Sequence, residues 1–156
     1  MTVVRVRRLA AGRRVARPTL RTVAERARRM LREVRVSAEL SVLLCGDRTI
    51  RALNRDWRGR DRPTDVLSFA LEEASGQRPR SAKGRRQLGD VVISLQTARR
   101  EAAAWNEGYD AHVTRLLAHG LLHLLGHGHR TAPQRRRMDA LTDRLILAAS
   151  RRRRRG

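Results

Sequence analysis

One cysteine among 156 residues, Cys45, leaves nothing for an internal disulfide to join. It closes the apolar run Leu40-Ser41-Val42-Leu43-Leu44, which points to a small buried hydrophobe rather than a reactive thiol. Aromatic residues are nearly missing as well: Trp57, Phe69, Trp105 and Tyr109 make up 3% of the chain. That is too few for a base-stacking platform of the kind that RRM or OB modules use. No N-terminal apolar stretch resembles a signal peptide, because Met1 to Arg8 alternates valine with arginine, and no run approaches the length of a membrane span. A cytoplasmic, reducing location is the expectation.

Lysine is reduced to Lys83, so a net charge of +21 is carried almost wholly by arginine. Without the five arginines Arg151 to Arg155 the charge is still +16, so the body itself is basic. A GC-rich coding sequence explains the choice of arginine over lysine. It does not explain why cations so outnumber carboxylates. A field of this size attracts polyanions, and nucleic acid held through its phosphates is the expected partner. An anionic membrane surface is the weaker alternative, since no amphipathic anchor with an aromatic face is visible.

The length suits one domain with its own core. Val3, Val4 and Val6 suggest a first strand, and Pro18-Thr19 opens a helix with Leu20, Val23, Ala27, Met30 and Leu31 at helical spacing. Ala38, Leu40, Val42 and Leu44 alternate as a strand with one buried face, and Asp47 caps a short helix running toward Trp57. A polar turn, Arg58 to Pro63, precedes a strand over Asp65 to Phe69. Residues Glu72 to Arg86 form a long loop, expected to be mobile. Leu88 to Ile93 is a further strand, and Leu95 to Trp105 a helix that Asn106-Glu107-Gly108 breaks. Asp110 caps the next helix, which ends near Gly126, and Pro133 starts a last one carrying Met138, Leu141, Leu145 and Ile146. The fold class is α+β: a small mixed sheet packed with about five helices in one domain over residues 1–150, followed by a disordered arginine tail at 151–156.

The chemistry concentrates in Ala118-His119-Gly120-Leu121-Leu122-His123-Leu124-Leu125-Gly126-His127-Gly128-His129. His119 and His123, four residues apart, share one face of a helix, so two imidazoles can reach one ion at metal–nitrogen distances of roughly 2 Å. Gly126 can take a left-handed conformation, end the helix and turn the chain so that His129 returns as third ligand. His127 competes for that role, but it follows Gly126 by one position and His129 is preferred. Three imidazoles leave a fourth position for water, which suits a catalytic ion, most readily zinc. His112, seven residues before His119, reads as a polar-face or loop histidine. The skeleton resembles that of the metzincins, whose helix carries a glutamate general base directly after the first histidine. Here that position is Gly120, which argues against peptide hydrolysis and leaves phosphodiester cleavage open.

Taken with two upstream segments, the histidine run resembles the YbeY family of bacterial metal-dependent endoribonucleases and ribosomal RNA maturation factors. The segments are Asn54 through Trp57-Arg58-Gly59 to Pro63-Thr64-Asp65-Val66-Leu67-Ser68-Phe69, then Leu88-Gly89-Asp90-Val91-Val92-Ile93, then His119 to His129. The resemblance runs from roughly residue 38 to residue 147, and Gly120 is normal for the family. It implies one zinc ion on His119, His123 and His129, and single-strand-selective cleavage of RNA. It further implies a part in maturing the 3′ end of small-subunit ribosomal RNA, with ribosome quality control nearby. The family's functional arginine falls on Arg58, where a cation can hold a scissile phosphate. Asp65 and Asp90 read as caps or turn formers at strand starts. Gly128 departs from the family's usual aspartate before the third histidine. The alternative reading is a ribosome-assembly or RNA-binding factor whose metal is mainly structural.

Overall fold

The computed structural model describes residues 2–9, 20–71 and 79–151. In chain order the elements are β1 (Val3–Arg8), α1 (Leu20–Glu33), β2 (Glu39–Cys45), α2 (Asp47–Arg58), β3 (Val66–Ala70), β4 (Gln87–Ser94), α3 (Leu95–Ala104), α4 (Tyr109–Leu124) and α5 (Ala132–Ser150). The expected helix start at Pro18-Thr19, residues 72–78 of the long loop and residues 152–156 of the tail lie outside the described residues. Of the rest of that loop, Arg80 and Arg86 pair as an isolated antiparallel bridge.

The sheet order is β1-β2-β4-β3. β1, β2 and β4 run parallel and β3 is an antiparallel edge strand, its Ser68 opposite Val91. One sheet face, with Leu40, Val42, Leu44, Val91 and Ile93, packs against α1 and α4 through Met30, Leu31, Leu117 and Leu121, and α5 lies on those two helices with Leu145 in the same core. Each such leucine contributes about 1.5–3 kcal/mol by leaving water. The other face is only partly covered: α2 sets Ile50 and Leu53 over Cys45, Val92, Leu43 and Leu67. The result is a single small α+β domain with a four-strand mixed sheet and five helices.

Two expected caps are corrected. α2 has Gly46 at its N-cap with no side-chain bond, so Asp47 lies inside the first turn. Its carboxylate instead accepts from the hydroxyls of Ser94 (2.7 Å) and Thr97 (2.6 Å) and pairs with Arg100, fastening α2 to the β4–α3 junction. Burial pushes Asp47 up, and those three donors outweigh it, holding it below the usual aspartate value. Gly108, not Asp110, is the N-cap of α4. Asp110 takes a two-pronged bond from Arg26 of α1 (2.7 and 2.8 Å), which lowers its pKa. In both cases a tertiary cation or donor claims the carboxylate that local pattern assigns to a cap. Cys45 is fully buried as expected, and burial pushes its thiol up to about 12, a value at which it is inert.

Candidate metal centre

From Leu116 to its end, α4 is apolar with two interruptions on one side. Leu116, Leu117, Leu121, Leu122 and Leu124 are buried, while His119 and His123 are only half-buried and share the remaining face. Gly120 is turned toward the sheet, not toward the histidines. A Cβ there would meet the Val91 Cγ1 at 2.6 Å and the Val66 Cγ2 at 3.2 Å, so the missing side chain lets α4 close onto β3 and β4. The Gly120 carbonyl accepts from the Ser68 hydroxyl at 2.9 Å across that contact. A glutamate at this position would enter the core, which is the packing reason that no general base follows the first histidine.

The helix ends as expected. The Gly126 amide bonds the His123 carbonyl at 3.0 Å, the His127 amide bonds the Leu122 carbonyl at 3.0 Å, and Gly126 has φ 91°. This is a Schellman motif, and glycine alone takes that φ without strain. The reversed chain runs into the capping box of α5, where Thr131 accepts from the Gln134 amide and the Gln134 side chain accepts from the amides of Arg130 and Thr131.

The consequence is that His129 comes back against His123, ring centroids 5.3 Å apart and planes at 72°. Two imidazoles on one tetrahedral ion, with bonds of about 2.0–2.1 Å, hold their centroids about 5 Å apart. The separation is compatible with such an ion, and it is also that of an ordinary edge-on ring pair. Burial, then the His129 and His119 rings, holds His123 below the ordinary histidine value, against a hydrogen bond to the His127 backbone. Burial lowers His119 too, with Asp65 and Asp139 pulling the other way. Both shifts favour the neutral imidazole that a metal requires. Among the described residues, no three His, Cys, Asp or Glu side chains are gathered into a finished metal-holding group. What the fold brings together is a converged pair with a third ring one turn back on the same helix.

Arg58, the last residue of α2, lies across the sheet's β3 edge. Its Nη2 donates to the Ser68 carbonyl at 2.7 Å and its guanidinium stands 5.6 Å from the centre of the Phe69 ring. It stays exposed, and its charge reaches His123.

Two expectations about polar residues change. His112 is not a polar-face or loop residue: it is 1% exposed, with Nδ1 bonded to Glu107 at 2.8 Å and Nε2 to Glu101 at 2.9 Å. The exposed Trp105 closes edge-on over it at 5.6 Å. Burial and the neighbouring Asp65 raise Glu101, against its bond from His112. A chain of polar contacts thus runs from His112 through Glu101 to Asp65, and the Asp65 charge is felt at His119. Glu107, five residues before His112, was the signal in the sequence, but nothing there shows that α3 delivers Glu101 to the other ring nitrogen. Asp65 stands just ahead of β3, its carboxylate accepting from the Val66 amide at 2.7 Å. Asp90, by contrast, lies inside β4 rather than at its start.

Among described helices none is long and apolar enough to cross a membrane. The family model described as Endoribonuclease YbeY matches residues 10–150. A protein of Anaeromyxobacter sp. named Endoribonuclease YbeY is 55% identical over 104 residues, covering 67% of this chain and 50% of that one. Its namesake in Myxococcus xanthus is 50% identical over 108 residues, covering 69% and 35%. That of Magnetococcus marinus is 42% identical over 113 residues, covering 70% and 77%. The chain thus spans half or less of the first two relatives. The solution structure of TM1509 from Thermotoga maritima superposes with a TM-score of 0.62 at 22% identity, covering 94% of this chain and 89% of that one, a likeness of fold.

Proposed function

The chain belongs to the YbeY endoribonuclease family, and from that premise we propose that it is a zinc-dependent endoribonuclease acting on single-stranded RNA. His119, His123 and His129 are the ligands in this reading and Arg58 is the phosphate-holding catalytic cation. The observation that carries it is the approach of His129 to His123 at 5.3 Å, beside His119 on the same helix, a separation that suits two imidazoles on one ion. The chemistry that a bound zinc ion supplies here is Lewis acidity and a lowered pKa for water. The chain's own part is orientation. Arg58, tethered to the Ser68 carbonyl, keeps its other guanidinium nitrogens for a phosphodiester and offsets the charge that develops on it. The surplus of arginine draws the polyanion in.

The finer reading follows the family. The substrate is the 3′ end of small-subunit ribosomal RNA, the setting is the ribosome small subunit and its quality control, and the location is cytoplasmic. The domain occupies residues 1–150, ahead of the arginine tail at 151–156.

The test is cleavage of a single-stranded ribosomal RNA fragment, with and without chelator, beside His123→Ala and Arg58→Ala, with bound metal measured in each. The expected result is one zinc per chain, cleavage lost with chelator and in both variants, and metal retained in Arg58→Ala. Equal background cleavage in every sample refutes the nuclease. Chelator that melts the fold while turnover is absent favours an assembly factor with a structural metal.

A further inference from the structure

The α2-side face of the sheet is left open beyond the end of α2, and that opening is built. It is a cavity of about 640 Å³, within the range of small-ligand sites. Its floor is Val92, Leu43 and Phe69, its walls are Trp57 and Arg58 on one side and Arg7 on the other, and Asp90 stands in it. Parallel strands are normally covered on both faces, so an apolar floor bounded by two arginines is an unusual feature to leave open.

Two of its residues are placed in ways that packing does not explain. Trp57 is 71% exposed, touching Phe69 edge-on at 6.4 Å. Asp90 is half-buried, and neither a hydrogen bond nor an ion pair joins its side chain to a described residue. It is brought there by a bulge: Glu39 pairs with Gln87 and Leu40 with Gly89, so Leu88 is extra and the alternation of β4 flips. Leu88, Val91 and Ile93 then share the main core while Asp90 and Val92 face the groove. Gly89, at φ 129° and with the Phe69 carbonyl where a Cβ would be, is the residue that permits it. Arg58 joins the groove to the histidine face, since it lines the first and its charge reaches the second.

We propose that this groove holds one unpaired nucleobase of the RNA strand, guanine in preference to uracil, with Trp57 as stacking surface, Asp90 as hydrogen-bond acceptor and Arg58 on the adjoining phosphate. The proposal rests on the nuclease reading for its ligand. The indole offers a π-face that any base can use. The carboxylate selects, because guanine presents two adjacent N–H donors to its two oxygens, whereas uracil presents one donor between two carbonyls. The flanking arginines favour an anionic strand over an apolar peptide as occupant.

Binding in the presence of chelator tests this apart from cleavage. Labelled UUGUU and UUUUU ribo-oligonucleotides are titrated with the full chain, fluorescence anisotropy being read at fixed salt. The wild type should prefer the guanine-containing strand about tenfold or more. Asp90→Asn should bring that ratio to about one while leaving the circular dichroism spectrum unchanged. Trp57→Ala, an exposed position, should weaken both strands about tenfold. His123→Ala should keep the wild-type preference, so a failed nuclease and a failed base site give different results. Equal affinity for the two strands in the wild type, or an undiminished preference in Asp90→Asn, overturns the proposal. Unweakened binding of both strands by Trp57→Ala overturns it too and leaves the groove to a protein contact.

Discussion

Replacing Gly120 by alanine sets two effects against each other. In an exposed helix the change stabilises by about 1 kcal/mol, because alanine loses less backbone freedom. Here the new methyl would sit 2.6 and 3.1 Å from the two Val91 methyls and 3.2 Å from a Val66 methyl. Valine on a strand has few side-chain rotamers to offer, so relief must come from α4 moving off the sheet. Overpacking of this kind costs typically about 1–3 kcal/mol. The net expectation is a loss of up to about 2 kcal/mol, read as a lowered urea midpoint with an unchanged slope. Val91→Ala alone should cost about 2 kcal/mol through its cavity, and the double variant should recover much of the sum because the methyl added to the helix refills that space. Cleavage should fall further than stability does. Arg58 hangs from Ser68 on β3, and the histidines ride on α4 or follow it, so widening the α4–β3 contact separates the two halves of the proposed site. A Gly120→Ala protein more stable than the parent refutes the close-approach reasoning outright.

Other outcomes follow from the same geometry. His112→Leu leaves Glu101 without a ring partner and Glu107 with Arg115 alone, and should cost about 3 kcal/mol in urea unfolding, with His112→Gln intermediate. Asp47 and Asp110 have folded-state values depressed below 3.8, so the stability that they contribute is complete above that pH and is lost as pH falls through their folded values. Asp47→Asn should therefore flatten the acid limb of a stability–pH curve, and an unchanged limb would sink the assignment. Gly128→Asp has room, since a Cβ there meets only the Gln134 Oε1 at 3.7 Å. It should leave stability unchanged and raise zinc affinity about tenfold by titration against a competing chelator, if the restored carboxylate orients a ligand.

How much of this was legible in the sequence divides along a physical line. Period-two and helical patterning locates β2, α1 and α5 because those elements bury one face, while β4 shows as an apolar run because Val91 to Ile93 is buried on both, and burial is what hydropathy records. The i, i+4 histidines and the stop at Gly126 are local geometry, so the return of His129 was readable too. What was not readable depends on partners distant in the chain. Asp110 answers to Arg26 across 84 positions, and Asp47 to Ser94 and Thr97 across 47 and 50. The burial of His112 depends on α3 folding back to bring Glu101 to it. Asp90 looked like a strand-start residue because Gly89 beside it, which hints at a bulge, does not say which residue is extra.

The candidate site is therefore made where the regular elements fail. The turn at Gly126 returns a histidine to its helix, the absent side chain at Gly120 brings that helix down to the β3 edge, and the bulge at Gly89 turns a carboxylate onto the opposite face. A sequence selected for stability alone has no need of a half-buried aspartate bonded to no described residue, or of an exposed tryptophan lining the same cavity. The histidines and the groove lie on opposite sides of the sheet, and Arg58, crossing its edge, is the side chain that lines one and whose charge reaches the other. Its replacement should therefore impair phosphate holding and base placement together. Asp90→Asn should alter only which strand is held, and that difference separates a catalytic cation from a residue that chooses the substrate.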